Sequence, residues 1–205
     1  MLTADDLDLA VRLSLSRLAV AAGADWDVPA GPLTWTCWET AEHLADDLFF
    51  YATQLSPPEP PADDHVPFAA ARRRPDGPLN SVAADRAAGV PGLLRVVAAC
   101  AGLLSATVRV RPPWVRAYHV FGRSDPAGFA AMGTVETVVH THDIAAGLGL
   151  SWTPPQDVCD RVLTRLFPDA PAGFDRWQTM LWCTGRASLP GRERRTSWRW
   201  DGTPG

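Results

Sequence analysis

The segment ETVVHTHD carries three side chains whose spacing suits metal chemistry: Glu136, His140 and Asp143. On a helix, residues four apart lie on one face about a turn apart, so Glu136 and His140 can reach one divalent ion. Asp143, almost one turn further, is placed to orient a ligand or to carry a proton. The surrounding residues are apolar or small, which predicts a helix in the core. A carboxylate buried there without a partner is costly, and a metal would compensate it.

A histidine on an earlier predicted helix supplies a third ligand. His43 lies in the segment WETAEHLADDL, close to an apolar stripe. Helical bundles build metal sites from side chains on facing helices, so His43 can join Glu136 and His140. Three protein ligands leave one position open, as in catalytic zinc sites. Spacing alone leaves open a metal-free hydrogen-bond network of the same side chains, and the donor set does not distinguish zinc from nickel or iron.

Three further carboxylates lie near His43 in the sequence. Glu39 precedes it by four residues and competes as a ligand, but the order from Thr36 to Glu39 fits a capping box at a helix start. Asp46 and Asp47 follow His43 by about one turn and are predicted to lie on a solvated helix face. None of the three is therefore assigned to the metal.

The other histidines are also assigned away from the ion. His142 lies about 200° around the helix from His140 and is predicted to point elsewhere. His119 lies in a loop or at a helix start, and we expect it to be structural or to line a substrate pocket. His65 lies in a polar connection and is predicted to be solvated.

Hydrophobic periodicity and capping signals predict an all-α protein, an up-and-down helical bundle with additional C-terminal helices. The predicted helices cover about 3–22, 36–55, 80–106, 126–148, 155–167 and 172–186. A break or kink is expected near Gly89-Val90-Pro91. The connection 56–78 is rich in Pro, Asp and Arg, so it is predicted to be long and exposed; whether it closes over the site as a lid stays open. Residues 1–205 form one predicted domain, with a loop-like tail from about 187.

Composition and charge argue against nucleic-acid-binding, membrane and secreted proteins. The formal net charge is −4 and both signs are spread along the chain, so we predict no nucleic-acid partner and no membrane partner. We expect no apolar run of transmembrane length, and the acidic N-terminus does not resemble a signal peptide, which predicts a cytoplasmic protein. Lysine is absent, which fits the codon bias of a GC-rich genome. Four separated cysteines are predicted to be free, mostly buried thiols: Cys37, Cys100, Cys159 and Cys183.

Three arginines are candidates for binding carboxylates of a substrate or thiol: Arg86, Arg123 and Arg186. The guanidinium fork binds both oxygens of a carboxylate, which makes arginine the suitable residue type. For each of them taken singly, an ordinary surface arginine is the alternative.

Three segments together resemble a known family. They are TWTCWETAEHLADDL, ETVVHTHDIAAGLGL and the ending TGRASLPGR with WRW. This pattern is similar to the mycothiol-dependent maleylpyruvate isomerase N-terminal family of the DinB-like superfamily, over about residues 5–202. The resemblance implies a DinB-like four-helix fold, a zinc ion held by His43, Glu136 and His140, and a catalytic role for Asp143. One departure is His142, where relatives commonly carry Trp.

The resemblance also implies the reaction class. The protein would be a metal-dependent enzyme, with zinc or another divalent metal, that uses a low-molecular-weight thiol such as mycothiol as nucleophile and co-substrate. It would either transfer the sulfur to an electrophilic small molecule or isomerise a cis double bond, and an actinobacterial source would fit. Two alternatives are a non-catalytic, stress-associated metal-binding bundle and a degenerate member that acts as an interaction partner. A homodimer is left open.

Overall fold

Helices make up nearly all of the regular secondary structure between residues 2 and 204, which the computed structural model describes. The helices are α1 (Ala4–Ala19), α2 (Cys37–Leu55), α3 (Gly89–Val110), α4 (Pro126–Gly147), α5 (Gln156–Leu166) and α6 (Arg176–Cys183). Two-residue strands β1 (Ala71–Arg72) and β2 (Leu79–Asn80) pair antiparallel, with Ala71 opposite Asn80. The predicted all-α class is confirmed.

The first four helices pack against one another, and α5 and α6 extend the packing from α4. Leu48 of α2, Leu104 of α3 and Phe129 of α4 are fully buried in one shared core. Almost every residue of α4 is buried, which agrees with the apolar character of that helix all round. The polar side chains of α4 are therefore held inside the bundle.

Local capping places the ends of the two helices that carry the predicted ligands. The Thr36 amide donates to Glu39 Oε2 at 2.9 Å and the Glu39 amide donates to Thr36 Oγ1 at 3.1 Å, so the predicted capping box of α2 is confirmed. Arg74 also holds the Glu39 carboxylate, with its Nε 2.7 Å from Oε1. At the start of α4, Asp125 accepts a hydrogen bond from the Gly128 amide at 2.7 Å. Glu39 is therefore committed to the helix start.

The third helix begins later than the sequence predicts. A start at about residue 80 is wrong, because the chain there forms β2 and then an extended segment. Asp46 of α2 accepts hydrogen bonds from the amides of Ser81 and Val82, both at 2.7 Å, and these bonds compete with a helix. The helix starts only at Gly89, after a short 3-10 turn, and Gly89-Val90-Pro91 forms its first turn instead of a break.

One stretch between residues 2 and 204, 86–110, is long and apolar enough by length and composition to cross a membrane. The prediction that no apolar run reaches transmembrane length is therefore wrong. The most apolar window has a mean hydropathy of 1.8, and 44% of it is buried inside the protein. The core helix of a folded bundle has the same properties, and α3 packs against α1, α2 and α4. The stretch by itself therefore assigns the chain to no compartment.

A close approach at the end of α4 gives a test of this packing. A Cβ atom added at Gly147 would lie 2.3 Å from the Pro29 carbonyl oxygen and 2.7 Å from Cys37 Sγ. We expect Gly147→Ala to lower the free energy of unfolding by about 1–3 kcal/mol, because the backbone must move to admit the methyl group. Urea denaturation followed by circular dichroism measures this change.

The matched control is Gly102→Ala in α3, where an added Cβ meets no heavy atom within 4 Å. We expect this variant to be unchanged or more stable by up to about 1 kcal/mol, from helix propensity. Equal unfolding curves for Gly147→Ala and the wild-type protein would contradict the close contact.

Candidate metal centre

The packing of α2 against α4 brings the three predicted ligands together. The ring centroids of His43 and His140 lie 5.5 Å apart. Nε2 of His140 lies 3.2 Å from Oε2 of Glu136, one turn earlier on the same helix. The side chains are mostly buried, with exposed fractions of 23% for His43, 14% for Glu136 and 7% for His140. One small ion placed among them would therefore be largely shielded from water.

Asp47 joins this cluster, so the prediction that it lies on a solvated helix face is wrong. Donor atoms of His43, Asp47 and His140 all lie within 4.8 Å of one another. Oδ2 of Asp47 is 3.6 Å from Nε2 of His43, and this buried oxygen has no hydrogen-bond partner among residues 2–204. The prediction for Asp46 is wrong as well, because Asp46 is 5% exposed and holds the chain after β2. The spacing from His43 to Asp47, four residues on one helix, was the signal that could have identified this fourth donor.

The imidazole of His43 is oriented by a residue from the hairpin. Nδ1 of His43 lies 3.0 Å from Oδ1 of Asn80, and the Trp35 ring packs edge-on at 4.7 Å between centroids. With the Asn80 oxygen as acceptor, Nδ1 carries the proton and Nε2 keeps a lone pair toward the cluster. Sequence patterns could not find Asn80, because β2 is placed by contacts with α2.

We therefore expect Asn80→Ala to weaken zinc binding about 10- to 100-fold, because the tautomer and the ring orientation of His43 are no longer held. Competition with a chromophoric chelator measures the affinity. Asn80→Asp keeps an acceptor oxygen at this position and serves as the matched control, which should bind zinc more tightly than the alanine variant. Equal affinities for Asn80→Ala and the wild-type protein would contradict the role of Asn80.

The second nitrogen of His140 faces Asp143. Nδ1 of His140 lies 3.3 Å from Oδ2 of Asp143, whose side chain is fully buried. Arg186 donates hydrogen bonds to this carboxylate from the other side, with Nη2 2.7 Å from Oδ2 and Nε 3.3 Å from Oδ1. Asp143 thus lies behind His140 at ion-pair distance, although the geometry between Nδ1 and Oδ2 does not form a hydrogen bond.

Burial disfavours the charged form of every titratable group in the cluster. Contacts with neighbouring charged groups then raise or lower each pKa further. Burial alone would lower the pKa of His140, but contacts with Asp143 and Glu136 outweigh it and raise the pKa to about 9. Burial alone would raise the pKa of Glu136, but hydrogen bonding and charge from His140 lower it below its ordinary value. Burial and the charge of Glu136 raise the pKa of Asp47 well above its usual range. Without a metal, the cluster therefore retains protons that a divalent cation would displace.

The three candidate arginines lie in different places. Arg186 belongs to the cluster through its pair with Asp143. Arg86 lies apart from the cluster. Its Nη1 lies 2.8 Å from Oδ1 of Asp27, and its Cζ lies 4.2 Å from the centroid of the Trp38 ring. Arg123 also lies apart and pairs with an exposed aspartate of the long connection. Of the three, the structure brings only Arg186 to the predicted ligands.

The other histidines have their own neighbours. The His142 ring packs against Trp177 of α6 at 5.6 Å, on a different side of α4 from the cluster. His119 is 8% exposed and stacks on Trp200 at 5.5 Å. His65 is exposed, which agrees with its predicted solvation. Its ring centroid lies 4.9 Å from that of Tyr118.

The four cysteines are free and buried, as predicted. Burial raises the pKa of each thiol, to about 12 for Cys159 and to about 11 for Cys37, Cys100 and Cys183. These thiols are protonated at neutral pH and are poor nucleophiles. Any thiol chemistry at the cluster needs a thiol from outside the chain.

A cavity of about 420 Å³ opens directly onto the cluster, and we call it the arginine cavity. The cluster residues in its wall are His43, Glu136 and His140. Its other lining side chains include Trp35, Arg186, Arg194 and Trp198. Another cavity, of about 400 Å³, lies between the tail and α5 and touches none of the cluster residues.

Comparison of the chain with protein-family models, with curated proteins and with solved structures found no match. The resemblance to the maleylpyruvate isomerase N-terminal family therefore stays a prediction. The support for a metal centre comes from the donor atoms of its residues. Two imidazoles and two carboxylates, one with an unpartnered buried oxygen, are donors that suit a divalent cation such as zinc.

Proposed function

We propose that this protein is a cytoplasmic, DinB-like, metal-dependent enzyme that uses a low-molecular-weight thiol of the mycothiol class against an electrophilic small molecule. The reaction is either S-transfer or thiol-dependent cis–trans isomerisation. The observation that carries the proposal is the cluster of His43, Asp47, Glu136 and His140, of which His43, Glu136 and His140 line a cavity large enough for small molecules.

The donor set supports a divalent ion with room for an external ligand. The sequence resemblance assigns His43, Glu136 and His140 to the metal, and the unpartnered oxygen of Asp47 adds a fourth donor within reach. A divalent cation lowers the pKa of a bound thiol, so that a nucleophilic thiolate exists near neutral pH. The buried cysteines of the chain leave that role to a thiol from solution.

The residues of the arginine cavity would hold the reactants in place. Arg194 is exposed and free to meet an anionic group, while Arg186 is already paired with Asp143. In S-transfer, the S–H proton leaves, an S–C bond forms, and either a proton adds to the neighbouring carbon or a leaving group departs with its electron pair. In isomerisation, the S–C bond forms, rotation occurs about the carbon–carbon bond, and the S–C bond breaks again.

Cobalt substitution provides the test. The protein is stripped of metal, loaded with Co²⁺ and titrated with mycothiol. A thiolate ligand gives a sulfur-to-cobalt charge-transfer band in the near ultraviolet, and we expect this band to saturate at one thiol per chain. S-methyl mycothiol, which has no ionisable sulfur, is the control and should give no band.

The outcomes separate the alternatives. Failure to bind any divalent metal would overturn the proposal. Stoichiometric metal with no thiolate band would favour the non-catalytic metal-binding bundle. A thiolate band justifies a screen of electrophiles, in which S-conjugates indicate transfer and geometric isomers indicate isomerisation.

A further inference from the structure

A third cavity also borders His43. It has a volume of about 240 Å³ and we call it the aromatic cavity. Its ring-bearing lining residues are Phe50, Tyr51, His65, Tyr118, His119 and Phe129, besides His43 itself. The rings meet edge to face, with centroids 5.9 Å apart for Tyr51 and Phe129 and 5.8 Å apart for Tyr51 and His119. Such walls favour a planar apolar guest.

The donor residues of the metal centre form the partition between the two cavities. Glu136 and His140 line the arginine cavity, Asp47 lines the aromatic cavity, and His43 lines both. Tyr51 links the two sides, because it lines the aromatic cavity while its hydroxyl lies 3.5 Å from Oε1 of Glu136. The donor residues of the centre therefore border two separate cavities.

The two cavities differ in charge. Arg186 and Arg194 line the arginine cavity, which suits an anionic or strongly polar group. Among the residues that line the aromatic cavity there is no arginine, and its acidic lining residues are Asp46 and Asp47. An anionic guest would find a guanidinium partner in the arginine cavity but none in the aromatic cavity. An anionic group is therefore better matched to the arginine cavity, and a neutral apolar group to the aromatic cavity.

The entrance of the aromatic cavity is apolar and open. Leu79 of β2 is 50% exposed and lines the cavity together with the exposed Ala70. Phe68, 42% exposed, packs against Phe50 at 6.0 Å between ring centroids. The volume is below that of most drug-sized sites, which limits the guest to one or two rings.

We propose that the aromatic cavity binds the electrophile through a neutral, planar aromatic or unsaturated group, and that the thiol approaches from the arginine cavity. This division rests on the proposed function, because it gives each reactant its own side of the metal centre. The electrophilic carbon then lies beside His43 and Asp47, within reach of a sulfur held on the other side.

The test uses binding of 2-naphthol to the as-purified full chain, measured by isothermal titration calorimetry. The blocking variant is Ala70→Trp, which adds an indole to the wall of the cavity, and the matched control is Ala69→Trp, because Ala69 does not line it. We expect Ala70→Trp to weaken 2-naphthol binding at least about tenfold and Ala69→Trp to leave it unchanged. Leu79→Asp, at a half-exposed position, is a second variant that should weaken binding without disturbing the core.

A charged analogue completes the test. 2-Naphthoate has the same ring system with a carboxylate, and the Ala70→Trp and Leu79→Asp substitutions should not change its binding. The proposal is overturned if the wild-type protein does not bind 2-naphthol, or if neither variant weakens that binding. It is also overturned if the variants weaken 2-naphthoate equally. Because neither thiol nor turnover enters this measurement, a failure of the cobalt test leaves its result interpretable.

Discussion

His140→Ala should reduce zinc affinity by more than about 100-fold, because losing a direct ligand costs more than losing a group that only orients one. His140 is the central donor of the cluster, with Glu136 at 3.2 Å and the His43 ring at 5.5 Å. The measurement is zinc content by elemental analysis after dialysis, followed by competition with a chelator. The purified wild-type protein should hold one zinc per chain and the variant close to none.

His142→Ala is the matched control for this substitution. His142 lies on the same helix, two residues further on, and packs against Trp177. The same side chain is removed from the same helix, but at a position away from the cluster, so zinc content should be unchanged. Equal zinc content in the two variants would show that His140 is not a ligand.

A comparison of the carboxylates then separates two donor sets. Glu136→Gln should weaken zinc binding strongly if the ligands are those implied by the family resemblance. Asp47→Asn should have the larger effect if the ion is held by His43, Asp47 and His140, whose donor atoms lie within 4.8 Å of one another. Both substitutions preserve size and remove one negative charge, so the difference reports on ligation.

The parts of the site that lie on α4 were predictable from the sequence because they depend on local rules. The spacing of Glu136 and His140 places both on one helix face whatever the rest of the chain does. The capping signal at Thr36 likewise sets where α2 begins. These local rules also made His43 a reasonable partner, since α2 and α4 must pack to bury their apolar faces.

The parts that depend on distant contacts were not predictable. Asn80 reaches His43 only because Asp46 and Glu42 of α2 bind backbone amides at Ser81, Val82 and Ala84. The same bonds explain why β2 replaced the first turns of the predicted third helix and why Asp46 is buried. Polar residues on an apparently solvated helix face thus hold a neighbouring segment, and hydrophobic periodicity contains no signal for this.

Breaking the buried ion pair between Arg186 and Asp143 should lower the free energy of unfolding strongly. The Asp143 side chain is fully buried and the Arg186 side chain is 11% exposed. Nη2 of Arg186 lies 2.7 Å from Oδ2 of Asp143. Arg186→Met removes the cation and leaves the buried carboxylate with only His140. Breaking a buried pair from one side costs about 3–5 kcal/mol, so we expect a loss of that order in the free energy of unfolding.

Urea denaturation in the presence of a chelator measures this loss without a contribution from metal binding. Arg86→Met is the matched control, because Arg86 and Asp27 form an exposed pair with side chains 48% and 62% exposed. Exposed pairs contribute at most about 1 kcal/mol, so the control should stay close to wild type apart from lost packing on Trp38. The double substitution Arg186→Met and Asp143→Leu removes both charges and should recover part of the loss. If Arg186→Met were as stable as Arg86→Met, the buried carboxylate of Asp143 would not need Arg186, and the packing of α4 and the charge of His140 would suffice to stabilise it.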